Sequence, residues 1–150
     1  MMAQLIERSL MIPARLDQLQ RASAFVSEIA ATIGFCGLQL CHVELAVDEA
    51  CANIVEHAYA HKPGGRIHIH VHAEPGHRIV ITLIDTGQPF DPQAVAVYDP
   101  STGVDDARPG GFGLFLIQRA MDEVQFEFNV KGVGLGQPKR FNRLTMVKYL

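Results

Sequence analysis

Apolar residues recur along the chain with two different periods, and each period predicts a different kind of element. In three segments the apolar positions repeat every three or four residues, as on one face of an α-helix. In five segments they alternate with polar residues or run together, as in β-strands, and glycine or proline clusters separate the segments. The predicted helices are residues 13–34, 38–59 and 111–121, and the predicted strands are residues 5–12, 66–73, 78–84, 124–130 and 144–150.

The order of these elements predicts the fold class. Strands that follow one another directly, with helices grouped between them, are typical of α+β proteins. A doubly wound parallel sheet would instead need a helix at each crossover. At 150 residues the chain has the size of one domain. We therefore expect a single domain over residues 1–150, a two-layer α/β sandwich with helices on one face of a mixed, mostly antiparallel sheet.

Composition narrows the range of functions. Hydrophobic residues make up 48% of the chain and charged residues 19%, and no apolar run approaches the roughly 20 residues of a membrane span. The formal net charge of -3, with scattered Lys and Arg, gives no basic patch for nucleic acid. Cys36, Cys41 and Cys51 have no CxxC spacing, so we expect small core residues in a reducing compartment. These features predict a cytoplasmic protein whose partner is a protein or a small molecule, without membrane or direct nucleic-acid contact.

The second predicted helix carries the first candidate site. Glu49 and Asn53 are four residues apart, so their side chains lie one turn apart on the same flank of the helix. A carboxylate can orient or deprotonate a hydroxyl group, and an amide oxygen can ligate a hard cation such as Mg²⁺. Taken alone, the same pair is also typical of a solvated helix face.

The second candidate site lies where a hydrophobic strand ends, in the segment DTGQPF. Asp85 is held there on a rigid element, and its carboxylate can accept a hydrogen bond from an exocyclic amine. Gly87 allows the backbone to approach a flat ligand closely. Taken alone, the pattern also fits an Asx-type turn. Aspartic proteases carry Asp-Thr-Gly as well, but they would require a predominantly β chain, and the three helical segments exclude that interpretation.

The third candidate site is the glycine-rich start of the last helix, in the segment RPGGFGLFLI. Glycines that lead into an apolar helix leave the N–H groups of its first turn free to bind an anion, which the helix dipole also favours. Phosphate is the natural ligand. The segment has neither the Gly-Lys-Ser/Thr of a Walker loop nor the third glycine of a dinucleotide fingerprint. Taken alone, it also fits a plain loop-to-helix junction.

The three candidates stand in one order along the chain, and a long loop separates the second from the third. This constellation resembles the GHKL ATPases, whose N box supplies an acid and an Asn and whose two glycine boxes bind adenine and phosphate. The segments VDEACANIVEHAY, DTGQPFDP and GLFLIQRAMDEVQF look like those of the stand-alone anti-sigma-factor serine kinases within that class. The resemblance implies the Bergerat-type ATP-binding sandwich.

The resemblance also implies roles for individual residues. Glu49 would be the catalytic acid–base group and Asn53 the Mg²⁺ ligand, while Asp85 and Gly87 would bind the adenine. Arg108 would contact the terminal phosphate of ATP. The second glycine box would hold the phosphates, and its residues are Gly111, Phe112, Gly113 and Leu114.

The implied activity is that of a serine/threonine protein kinase that uses ATP and Mg²⁺. It would phosphorylate an anti-sigma-factor antagonist, a STAS-type protein, and in another state it would sequester a sigma factor. A homodimer is implied as well, and residues 90–110 would close over the nucleotide as a lid. Two alternatives stay open: a nucleotide-gated protein-binding module without kinase activity, and the detached catalytic domain of a histidine kinase.

Two further segments have unusual patterns. His68, His70 and His72 alternate with aliphatic residues on a predicted strand, so the three imidazoles project from one face. They predict a solvated sheet face rather than a metal site, since no carboxylate or cysteine stands at ligand spacing. Residues 130–142 form a glycine-rich connection that is longer than the fold requires, and no function is predicted for it.

Overall fold

Among residues 3–89 and 111–150, five strands form one sheet, and each neighbouring pair of strands in it is antiparallel. The computed structural model describes residues 3–89 and 111–150, the side chain of Phe112 excepted. The strands are β1 (Ile6–Pro13), β2 (Arg66–Glu74), β3 (Arg78–Asp85), β4 (Glu123–Lys131) and β5 (Arg140–Tyr149). Their order in the sheet is β1-β2-β3-β5-β4, so the hairpin of β4 and β5 joins the sheet beside β3.

In the described part of the chain, three helices form the second layer. They are α1 (Leu19–Ile33), α2 (Gly37–Asn53) and α3 (Gly111–Ala120), and a 3₁₀ turn at Leu16–Gln18 precedes α1. Helix α2 packs against both α1 and α3, and one core cluster joins apolar residues of all three helices to the sheet. No helix within residues 3–89 and 111–150 is long and apolar enough to cross a membrane. The predicted α+β sandwich, with helices on one face of the sheet, is confirmed, but the described sheet is antiparallel throughout, whereas a mixed, mostly antiparallel sheet was predicted.

The alternating pattern of β2 separates the two faces of the sheet. Ile67, Ile69 and Val71 are fully buried under the helices, while the histidines between them point to the opposite face. Each such buried aliphatic side chain contributes about 1.5–3 kcal/mol relative to an exposed one. A shift of one residue in the pairing would expose this entire set, so burial determines the register.

The predicted helix over residues 38–59 is divided in two. Helix α2 ends at Asn53, and Ile54–Ala58 form one π-helical turn in which Tyr59 N donates to Ile54 O at 3.0 Å. Apolar periodicity does not distinguish this wider turn from an α turn, because both bury the same apolar side. Single π turns are frequent at functional sites, and this one follows directly after a candidate site residue.

The hairpin between β4 and β5 also differs from the prediction. Strand β5 begins at Arg140, earlier than expected, and β4 extends to Lys131, so the connection shortens to residues 132–139. A register shift in β4 accommodates Asn129, whose φ is 56°. The apolar pattern missed the start of β5 because a polar residue, Asn142, is buried there.

The cysteines match the prediction only in part. Cys51 is buried, and desolvation raises the pKa of its thiol to about 12. Cys36 and Cys41 are exposed, since α2 first enters the core at Val43. All three are free thiols. The expectation of core residues is therefore wrong for Cys36 and Cys41.

Candidate functional site

Helix α2 brings the first and the third candidate sites together. Glu49 and Asn53 lie one turn apart near its end, and both contact the first turn of α3. A Cβ atom built on Gly113 would lie 2.8 Å from Glu49 Oε2 and 3.4 Å from Asn53 Oδ1. A glycine leaves room for both polar groups at this contact, so the residue type at position 113 determines how closely the two helices approach.

Glu49 is half-buried, and its surroundings favour the protonated form. Burial is the main cause that raises the pKa of its carboxyl, and the carboxylates of Asp48 and Glu56 raise this pKa further. No Lys or Arg among residues 3–89 and 111–150 forms an ion pair with it. A carboxylate with a raised pKa and no paired cation is a stronger proton acceptor, which suits a general base.

Asp85 lies at the end of β3 and is 6% exposed. Its Oδ1 accepts hydrogen bonds from Gly87 N and from Asn142 Nδ2, both at 2.9 Å. Burial raises the pKa of its carboxyl, while these two hydrogen bonds act in the opposite direction. Both bonds use Oδ1, so Oδ2 is the oxygen that a ligand amine would reach.

Asn142 is a part of this site that the sequence analysis missed. It pairs with Asp85 across β3 and β5, and it is 5% exposed. Besides its bond to Asp85, its Nδ2 donates to Gly87 O at 3.0 Å, and its Oδ1 accepts from Asn129 N at 3.1 Å. The side chain thus ties the Asp85 carboxylate to the loop after β3 and to the irregular part of β4. Only the strand register could have revealed it, because the two residues are distant in the chain.

The loop after β3 rests on the π turn that follows α2. Gln88 N donates to Ala58 O at 2.7 Å, and a Cβ on Gly87 would lie 2.5 Å from the same oxygen. Thr86 N donates to the Tyr59 hydroxyl at 2.9 Å. Gly87 therefore permits a close approach to the protein's own backbone, and its predicted contact with a ligand stays a prediction.

A narrow cleft lies between the end of α2 and the strands that carry Asp85 and Asn142. Asn53 lines it from α2, Asp85 and Asn142 line it from the sheet, and the rings of Phe126 and Phe128 complete it. The two rings stack with their centroids 6.0 Å apart. The free interior is about 20 Å³, room for about one water molecule, so a purine ring enters only if side chains of the cleft move apart.

A wider groove lies elsewhere on the molecule. It has a volume of about 930 Å³ and runs between the end of β1 and residues 61–66. None of the predicted site residues within residues 3–89 and 111–150 lines it. We therefore place the candidate site where the carboxylate, amide and helix terminus converge, because chemistry depends on those groups and not on volume.

The structure gives little information on how the remaining predicted site residues would contact a ligand. Arg108 and the predicted lid, residues 90–110, lie outside the described residues. Gly111 begins α3, and Phe112 follows it in the backbone of the same turn. Leu114 is 3% exposed, so only its backbone could contact a ligand.

The histidine face of β2 has a carboxylate partner that spacing along the chain did not reveal. Strand β1 places Glu7 opposite His72, with which it forms an ion pair, and Glu7 Oε2 lies 2.6 Å from His70 Nε2. In the part of the chain that the structure describes, no group of three or more His, Cys, Asp or Glu is arranged to hold a metal ion. The cluster therefore fastens the edge strand β1 to its neighbour.

Comparison with known proteins identifies relatives over most of the chain. A family model described as histidine kinase-like ATPase domain matches residues 12–135. A protein named serine-protein kinase RsbW from Bacillus subtilis (strain 168) is 31% identical over 135 residues, which cover 87% of this chain and 83% of that protein. Proteins of the same name from Oceanobacillus iheyensis and Halalkalibacterium halodurans are 36% and 34% identical, over 76% and 88% of this chain and 74% and 82% of their own.

Among solved structures, the mycobacterial sensor histidine kinase MprB has a similar fold. It superposes with a TM-score of 0.53, over 93% of this chain and 97% of that chain. The sequences are 11% identical, so the likeness concerns the fold alone.

Proposed function

Since the chain belongs to the family of histidine kinase-like ATPase domains and, within it, to the serine-protein kinases named RsbW, we propose that it phosphorylates a serine or threonine of a partner protein with ATP. One observation supports this most directly, the contact of Glu49 and Asn53 with the first turn of α3 at Gly113. A proton acceptor, a cation ligand and an anion-binding helix terminus meet there.

ATP binds with its adenine beside Asp85 and its phosphates at the start of α3. Asp85 Oδ2 accepts a hydrogen bond from the exocyclic amine, and the two bonds at Oδ1 hold the carboxylate in this orientation. Arg108 contacts the terminal phosphate. Backbone N–H groups in the first turn of α3 donate to the phosphates, and they belong to Gly111, Phe112, Gly113 and Leu114.

The residues near Gly113 also fit a magnesium ion. Asn53 Oδ1, which lies beside Gly113, would be the ligand, since amide and carboxylate oxygens are the donors that Mg²⁺ prefers. When bound, the ion neutralises phosphate charge.

Glu49 acts on the protein substrate. It accepts the proton of the serine hydroxyl while the new O–P bond forms and the bond to the ADP oxygen breaks. Such a base contributes about 10²–10⁴ in rate. Positioning of the phosphates by the start of α3 contributes much of the remaining rate enhancement.

The partner proteins are proposed from the family. The substrate is an anti-sigma-factor antagonist of the STAS type, and in a second state the protein sequesters a sigma factor. It acts in the cytoplasm, and it forms a homodimer that light scattering would detect as twice the 16.5 kDa mass of the chain. The names of the relatives, which are serine-protein kinases, support a protein substrate.

The test is phosphate transfer from ATP to a purified STAS-type antagonist of the same organism. We expect an acid-stable phosphoserine or phosphothreonine, and we expect Asn53→Ala to weaken both Mg-ATP binding and transfer. An acid-labile phosphate would indicate the catalytic domain of a histidine kinase instead. No transfer to any antagonist of that cell, together with ATP-dependent partner binding, would indicate a nucleotide-gated binding module.

A further inference from the structure

The turn between β4 and β5, residues 132–139, presents two aliphatic side chains to solvent and is named here the hairpin tip. Leu135 is fully exposed and Val133 is 92% exposed, more than any other large hydrophobic residue among residues 3–89 and 111–150. Single exposed apolar residues are ordinary on protein surfaces. Two of them, two positions apart at the end of one hairpin, offer a partner two apolar contacts close together in the chain.

Hydrogen bonds hold the hairpin tip in one shape. Gly132 N donates to Lys139 O at 3.0 Å, and Gln137 N donates to Gly134 O at 3.2 Å. The side chain of Gln137 closes the turn by accepting from Val133 N at 3.1 Å. The aliphatic side chains are therefore presented by an ordered turn, which lowers the entropy lost when a partner binds.

Positive charge surrounds the hairpin tip. All 16 Asp and Glu residues of the chain lie at or before Glu127, and every charged side chain after it is basic. Arg143 pairs with Glu127, and Lys148 is buried. The basic residues that remain exposed at the base of the tip are Lys131, Lys139 and Arg140. An apolar tip with a basic base is complementary to an apolar pocket with an acidic rim.

The sheet places the hairpin tip at the same end as the narrow cleft lined by Asp85 and Asn142, which is the proposed nucleotide cleft. Strand β5 pairs Asn142 with Asp85 at the end of β3, and it begins only two residues before this pair, at Arg140. We propose that the hairpin tip docks the protein substrate of the kinase, through a substrate pocket that is apolar and rimmed by Asp and Glu. This inference rests on the proposed kinase function and gives it a substrate-binding surface outside the nucleotide cleft.

An anionic membrane is the other surface that such a tip fits. Two properties of the molecule favour a protein. All acidic residues lie in the remainder of the chain, and the net charge is -3, so an anionic bilayer repels most of the molecule. The tip is also an ordered turn, which suits a shaped pocket, whereas a fluid bilayer gains little from a fixed shape.

The experiment measures steady-state phosphate transfer while the concentration of the purified STAS-type antagonist is varied. One variant removes the apolar surface, Val133→Ser with Leu135→Ser. A second reverses the charge, Lys131→Glu with Lys139→Glu. The matched control, Leu38→Ser, removes a leucine that is 72% exposed at the start of α2. Calorimetry with ATP and thermal unfolding are measured on every variant.

Both hairpin variants should raise KM for the antagonist about tenfold or more, because apolar and ionic contacts are lost. Their kcat, ATP affinity and thermal midpoint should stay at wild-type values, and Leu38→Ser should behave as wild type. The charge-reversed variant should also lose the increase of KM with salt. An unchanged KM in both variants would overturn the proposal. Tip-dependent binding to phosphatidylserine vesicles with an unchanged KM would overturn it in favour of a membrane.

A wild type that transfers no phosphate would count against the kinase function and not against the docking surface. Calorimetry of antagonist binding to the same variants then tests the docking surface without relying on phosphate transfer. An affinity about tenfold lower in both hairpin variants would support the docking surface. Equal affinities would exclude it.

Discussion

The two ends of the candidate site are built differently. At one end, the buried carboxylate of Asp85 is held by hydrogen bonds from Gly87 and Asn142. At the other, the half-buried carboxylate of Glu49 lies against Gly113 without an ion pair to the described residues. The first end is shaped by the protein's own bonds, whereas the second depends on helix packing and on what the ligand brings. We therefore expect the first end to decide binding and the second to decide catalysis.

Removal of Glu49 tests the catalytic end and has the largest expected effect. Glu49→Ala should lower phosphate transfer by about 10²–10⁴, because the base is lost, while ATP affinity changes little. Burial and neighbouring carboxylates raise the pKa of Glu49, so wild-type transfer should rise as the pH rises through that pKa. The variant should lack this rise. Single-turnover transfer and calorimetry measure the two quantities, and equal transfer rates at every pH would refute the catalytic role.

A pair of glycine substitutions compares the two ends directly. In Gly87→Ala the new Cβ meets the backbone oxygen of Ala58 at 2.5 Å, so the backbone must move and the free energy of unfolding should fall by about 1–3 kcal/mol. In Gly113→Ala the Cβ meets the end of the flexible Glu49 side chain at 2.8 Å. The fold should then persist, but transfer should fall roughly tenfold to a hundredfold because the carboxylate is displaced. Denaturant unfolding and transfer assays check both variants, and the reverse pattern would contradict the comparison.

Asp85→Asn tests the binding end. The Asn oxygen can keep both internal hydrogen bonds, but an amide donor replaces the oxygen that we propose accepts from the adenine amine, so ATP affinity should fall roughly tenfold or more. Calorimetry of the folded variant measures this loss, and an unchanged affinity would remove the assignment.

Stability provides the control for Asp85→Asn. Burial raises the pKa of Asp85 above 3.8, so its stabilising contribution is present below that pH and is lost as the pH rises through the raised pKa. The Asn variant is neutral at every pH. It should therefore be at least as stable as wild type at pH 7 and lose that advantage in acid, as thermal unfolding against pH would show.

The smallest effect is expected on the far face of the sheet, away from both ends of the candidate site. The bond to Glu7 raises the pKa of His72 above 6.5, and the bond to His72 lowers the pKa of Glu7 below 4.5. The pair therefore stabilises β1 most between these values, and its contribution is lost as the pH rises through the raised pKa of His72. Glu7→Gln should flatten this part of the thermal midpoint's pH dependence, whereas Glu28→Gln, an exposed change on α1, should not. Identical pH profiles of wild type and Glu7→Gln would exclude the effect.

Local signals predicted the elements well where one face of each element is buried. In β2, strict alternation identified both the strand and its inward residues, because burial repeats with the period of the backbone. The same signal failed at the start of β5, where Asn142 is buried through hydrogen bonds and not through apolar packing. It also failed to show the π turn at Ile54–Ala58, since a wider turn buries the same apolar residues as an α turn.

The residues of the candidate site show the same difference between local signals and tertiary contacts. Glu49, Asn53 and Asp85 could be proposed from the sequence because each belongs to a short segment whose residue types carry chemistry. The sequence does not show that these residues converge, because their convergence depends on the packing of α2 against α3 and on the pairing of β3 with β5. Asn142 was missed for the same reason.

The sequence by itself determined the fold class, the order of the elements and the family, because apolar periodicity and short motifs are local properties of the chain. Only the tertiary structure decided which polar groups touch. It placed Gly113 against Glu49, Asn142 against Asp85 and Glu7 against the β2 histidines, and these contacts join residues that lie far apart in the chain. Strand register and helix packing bring such residues together, and both follow from burying the whole core at once.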